Sequence, residues 1–146
     1  MAKNEPIILA GSPIYREGVA SATITPGMLV EYGGTNDLQP HSTAGGNARK
    51  AVAVNMSEIG QDSETDYSAD DQARYAVLRS GDRATMLLAT GQNVAKGAAL
   101  ESDGAGALQA FGTAADAGNH GNLVGYADEA INNSTGSPVR IVVEAA

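Results

Sequence analysis

The sequence predicts a mainly β fold, a small barrel-like domain with an extended N-terminal arm and at most one or two short helices. Three observations lead there. Apolar residues fall in short runs broken by turn formers, with 18 glycines and 5 prolines in 146 residues. Several runs alternate with the period of two expected of a half-buried strand. Sustained helical periodicity is almost absent.

In chain order, residues 1–22 contain Pro6, Gly11, Pro13 and Gly18 without a sustained pattern, and read as an arm or loosely held edge. Residues 23–146 read as the β domain. Strands are expected at 28–32, 50–54, 83–89 and 122–127, each bounded by Gly, Pro, Asn, Ser or Asp. The clearest strand is the last, 138–144. There Val139, Ile141 and Val143 share one face, while Arg140, Val142 and Glu144 share the other. Two readings compete for 68–79. Ser68 and Asp71 could cap a helix through Tyr75, or a loop feeds a strand at 75–79. The strand is favoured, because Gly81 ends the segment early and short helices gain little from propensity. The alanine run 114–117, stopped by Gly118, is a candidate helical turn.

An internal echo is more informative. Displaced by seventy residues, 27–44 falls on 97–114, with Gly27/Gly97, Glu31/Glu101, Gly34/Gly104, Leu38/Leu108 and Gln39/Gln109 among the matches. Each copy reads as a turn glycine, a strand, a Gly-rich hairpin tip and a returning strand. Gly34 and Gly104 suit tips that need positive φ. Two related β-units in one barrel-like body are expected.

Composition narrows the function classes. The formal net charge of −8 works against coating a nucleic-acid backbone or an anionic membrane. With no cysteine, disulfides, thiolate chemistry and sulfur-liganded metal sites are excluded. No signal peptide is expected at the start, nor a run of roughly 20 apolar residues able to cross a bilayer.

The stretch 56–71 holds Glu58, Asp62, Glu64, Asp66, Asp70 and Asp71 and no positive residue. Asp62, Glu64 and Asp66 have the spacing of the first three ligands of a calcium loop. Tyr67 and Ala73 stand where that loop needs glycine and glutamate, so a solvated acidic surface loop is expected and no metal site is assigned. His41 and His120, with carboxylates such as Asp37 or Asp116, lack metal-ligand spacing and read as surface loop histidines. Asp37 and Asp103 flank hairpin tips and read as turn residues. No phosphate-cradling glycine loop or catalytic motif is present. Neither an enzyme nor a cofactor is expected. The interface candidates are Ile7, Ile8, Tyr15, Tyr32 and Tyr126, since tyrosine can anchor a contact while its hydroxyl stays wet.

After the arm come 22–31, then 87–101, which includes Val94-Ala95-Lys96-Gly97, then 122–130 and the closing strand 139–143. In that order the segments resemble the head-decoration, or capsid cement, proteins of tailed bacteriophages. The resemblance implies a tulip-like β fold and a homotrimer that binds the major capsid protein and braces the head. It implies a place on the outer capsid surface of the virion, with the host cytoplasm as the site of assembly. It also implies an arm that augments a neighbouring sheet, and no catalytic residue to carry across. Two other classes stay open: a small-ligand or sugar-processing β domain, and a Ca²⁺-responsive adhesive module.

Overall fold

A computed structural model describes residues 6–113 and 122–146. Strand β1 (Ile8–Ala10) leads into β2 (Ile14–Val19), β3 (Leu29–Tyr32), β4 (Leu38–Pro40), β5 (Ala51–Val54) and β6 (Gln72–Val77). There follow β7 (Arg83–Leu88), β8 (Asn93–Val94), β9 (Ala99–Ser102), β10 (Leu108–Ala110), β11 (Gly125–Ala127), β12 (Ile131–Asn132) and β13 (Val139–Ala145). One short 3-10 turn, Ser57–Ile59, completes the described elements. The fold is mainly β, as the alternation and turn chemistry predict.

Two sheets carry the architecture, and they share one plan. The first runs β2-β6-β5-β3-β4, and a parallel bridge between Ala20 and Leu38 joins its outer strands. The second runs β7-β13-β11-β9-β10 and closes through the parallel pair Leu108 and Leu88. Corresponding hydrogen bonds make the two closures, Ser21 N–H to Leu38 O at 2.7 Å and Ala89 N–H to Leu108 O at 2.8 Å. Closing a sheet removes most of its edge, which a short-stranded chain of this size would otherwise expose.

Matched sequence positions occupy matched register positions. In the first hairpin Glu31 faces Gln39, and in the second Glu101 faces Gln109. Each glutamine donates to its glutamate, at 2.8 Å and 3.0 Å. The tips need glycine. At Gly34 φ is +83° and an added Cβ would lie 2.5 Å from Ser21 Cβ; at Gly104 φ is +86° and it would lie 2.8 Å from Ala44 N.

The first barrel is filled by Ala20, Ile24, Val30, Leu38, Ala51, Ala53, Tyr67 and Tyr75. Met86, Leu88, Val94, Leu100, Leu108, Ile141 and Val143 belong to the core of the second. Leu29, Val52, Val54, Ala76 and Leu78 alternate with the inward residues of the first barrel, yet pack in the same cluster as the second barrel's core. All four residues of β5 are therefore buried, because β5 has a core on each side. At the pseudo-equivalent places of Val52 and Ala76 the second barrel carries Tyr126, 42% exposed, and Glu144, also exposed.

The segment read as an arm supplies an edge strand to each barrel. β1 pairs antiparallel with β7, and Thr85 N–H donates to Ile7 O at 2.7 Å. β2 pairs with β6 over six positions. Of the competing readings for 68–79, the strand is the one formed, displaced to Gln72–Val77. The candidate helical turn at 114–117 lies outside the described residues.

Candidate interaction surface

Strand β2 is exposed at Ile14, Tyr15, Arg16 and Glu17, and only Gly18 is buried. Strand parity shows which backbone groups are left over. Val19 turns away from β6: its N–H donates to Asp37 Oδ2 at 3.2 Å, and its carbonyl accepts from Asp37 N–H at 3.1 Å. Residues two apart on a strand point the same way, so the backbone groups of Glu17 and Tyr15 also face outward. Among the described residues neither has a backbone partner on that side.

Beside this edge lies a groove of about 520 Å³ lined by Arg16, Glu17, Tyr32, Asn36, Asp37 and Tyr75. On the other side of β2 a second groove, of about 650 Å³, reaches Ile8, Tyr15, Asn55, Glu58 and Arg74. The hydroxyls of Tyr32 and Tyr75 are 2.6 Å apart, and their rings meet edge to face, with centroids 6.2 Å apart. The Arg49 guanidinium lies 4.6 Å from the Tyr32 ring centroid. Burial, and then the hydrogen bond to Tyr32, pushes Tyr75 up to about 12. The Tyr75 hydroxyl, and next Arg49, hold Tyr32 below the ordinary phenol range. Either hydroxyl can donate in this pair, and the exposed Tyr32 places its phenol beside the Arg49 cation at the groove mouth.

The interface candidates divide. Tyr15 and Tyr32, 54% and 52% exposed, both border β2 and its grooves. Tyr126 is exposed on β11, on the second barrel. Ile8 is half-buried. Ile7 requires a correction: it is 2% exposed and belongs to the large core, because β1 lies along β7. Its apolar character serves the core of this chain.

Asp62 closes its own turn, its Oδ1 accepting from Glu64 N–H at 3.0 Å and Thr65 Oγ1 at 2.8 Å. Glu64 and Asp66 are exposed. Among the described residues no group of three or more His, Cys, Asp or Glu gathers where it could hold a metal. Asp103 receives Ala105 N–H and Ala107 N–H in its own turn. Asp37 departs from the turn reading and reaches across to Val19.

His41 also departs from expectation. It is 1% exposed, with Nδ1 2.6 Å from Ser102 Oγ and Nε2 2.9 Å from Asn47 O. Sequence alone could not place it, since its partner is sixty-one positions away. His120 and Asp116 lie outside the described residues. Sequence reasoning also passed over Ile14 and Arg16; the run Ile14-Tyr15-Arg16-Glu17, without glycine or proline, was the available signal.

No helix among the described residues is long and apolar enough to cross a membrane. Neither the family models nor the curated proteins contain a match to this chain. Among solved structures, the chain is similar to the crystal structure of the head fiber gp8.5 N base of bacteriophage phi29. The TM-score is 0.59 at 10% sequence identity, over 92% of this chain and 95% of that one. Two chains of nearly equal extent therefore share one β fold.

Proposed function

We propose that this chain is a structural component of a phage particle, a decoration or cement protein that binds the outer surface of the head and stabilises it. The observation carrying this reading is the likeness over almost the full length of both chains to the base of a phage head fiber. The segment order in the sequence, similar to capsid cement proteins, points the same way. The surface suits adhesion: Tyr15, Tyr32 and Tyr126 are exposed, and among the described residues no strand pairs with the outer edge of β2.

In this reading the body belongs to the β-tulip class and acts as a homotrimer, its partner being the major capsid protein on the outer capsid surface of the virion. It meets the shell in the host cytoplasm during assembly. Symmetry then multiplies modest contacts, because attachment at several points raises the effective concentration of each. Sedimentation of purified phage shells mixed with the chain tests this. The chain is expected to travel with the shells and to raise their rupture temperature; a chain left in the supernatant with unaltered shells rejects the reading.

A further inference from the structure

The two barrels differ in what lies along the outer edge of their first strand. In the second barrel the outer edge of β7 is covered by β1, with Ile8 opposite Ala84 and Ile7 O accepting from Thr85 N–H at 2.7 Å. The corresponding strand of the first barrel is β2. Arg16 stands opposite Tyr75 as Ala84 stands opposite Val143, and Glu17 opposite Arg74 as Thr85 opposite Val142. No described strand covers β2 on that side, and the groove of about 520 Å³ opens there.

We propose that the outer edge of β2 at Tyr15–Glu17 accepts an extended segment of a second protein. The segment runs antiparallel to β2 as β1 runs along β7, and carries a carboxylate opposite Arg16. Main-chain bonds to Glu17 N–H and C=O supply the attachment. The charge preference comes from Arg16, which makes no ion pair among the described residues. A cross-strand neighbour of opposite charge is favourable there, and Arg49 adds positive charge at the same mouth.

A second copy's β2 fits badly. Outward-facing residues must meet outward-facing residues, which leaves three two-fold registers across this stretch. One sets Arg16 against Arg16 and another Glu17 against Glu17, both repulsive. The third sets Pro13, which has no N–H, against Glu17. The edge therefore selects against pairing with its own counterpart in a second copy. This site stands whether or not the chain decorates a phage head.

The test uses the full chain, isotope-labelled, and two synthetic peptides of residues 6–12 carrying Ile8→Glu or Ile8→Lys. The glutamate peptide is expected to shift the amides of Tyr15 and Glu17 saturably and to slow hydrogen exchange at Glu17. It should bind up to about fivefold more tightly than the lysine peptide, the worth of one cross-strand charge pair. Arg16→Glu should reverse that order. Glu17→Pro removes the outward N–H at a position where an edge strand tolerates proline, and should weaken binding about tenfold in a chain whose unfolding is unchanged. Shifts confined to Thr85, meaning displacement of β1, overturn the proposal. So does the absence of saturable shifts at millimolar peptide, or concentration-dependent protection of Glu17 without peptide, which would make the occupant a second copy.

Discussion

His41 Nδ1 lies 2.6 Å from Ser102 Oγ, and this buried bond ties the loop after β4 in the first barrel to β9 in the second. Asn47 O can only accept, so Nε2 carries the proton. In the neutral ring Nδ1 then accepts from the Ser102 hydroxyl, whose oxygen also receives Gly104 N–H at 3.1 Å. Ser102→Ala strips both groups of their partner, and a buried polar group left unpaired costs about 1–3 kcal/mol. Urea unfolding is expected to show a loss of that size; an unchanged midpoint would mean that the bond contributes nothing to the joint.

Local pattern revealed the strands that alternate between a core and water. β13 is the plainest, with Ile141 and Val143 buried and Glu144 exposed. The hairpin echo was legible because register and tip geometry are local: Glu31 with Gln39, Glu101 with Gln109, and a positive-φ glycine in each tip. β1 and β2 were hidden because neither alternates cleanly; Ile14 through Glu17 are exposed in succession. The joint was hidden too, since nothing near His41 in sequence announces Ser102. The exposed Tyr15 and Tyr32 were legible as rare aromatics, but the free edge beside them emerges only from comparing the two barrels.

The carboxyl of Glu31 makes the first hairpin sensitive to acid. Burial raises its pKa, but hydrogen bonds from Ser42 and Gln39 outweigh this, and the carboxyl sits below the ordinary range. A depressed carboxylate contributes stability that is present above its unfolded value, about 4.3, and is lost as pH falls through the lower folded value. Glu31→Gln is expected to flatten the stability profile across that acid window. Unfolding midpoints measured from pH 3 to about 7 check this; a variant with the parental acid slope refutes it.

Tyr75→Phe separates the two phenols at the groove. Without the Tyr75 hydroxyl, Tyr32 loses its main reason to ionise early, and its titration should move up toward the usual value of about 10. In the parent chain, Tyr75 favours the fold while neutral. That contribution is present below about 10 and is lost as pH rises through about 12. Ultraviolet titration of the two chains gives the readout, and an unmoved Tyr32 would show that Arg49 alone governs it.

Ile7 turns the question of the arm into one of stability. Its side chain is 2% exposed in the larger core, and emptying such a site by Ile→Ala costs about 2–5 kcal/mol. Ile7→Ala should therefore lower the unfolding free energy by that much, and removal of residues 1–12 should cost more, because the β1 pairing with β7 goes with it. Chains that unfold at the parental urea concentration would show β1 to be dispensable to the body.

Gly97 and Gly104 offer a matched pair in which backbone strain and steric clash can be told apart. Both have positive φ, +88° and +86°, and an added Cβ meets nothing within 4 Å at Gly97 but lies 2.8 Å from Ala44 N at Gly104. Gly97→Ala should cost only the conformational penalty, about 1–2 kcal/mol. Gly104→Ala should cost that and about 1–3 kcal/mol more, the usual range for overpacking. The clash falls on backbone next to Gly45, whose N–H donates to Ser102 O, so relief must disturb the contact between the barrels. If the excess arises there, it should shrink when Gly104→Ala is combined with Ser102→Ala, because residues sharing one network couple in such a cycle. Equal costs for the two glycines would instead place the whole effect in local backbone geometry and separate the second tip from the joint.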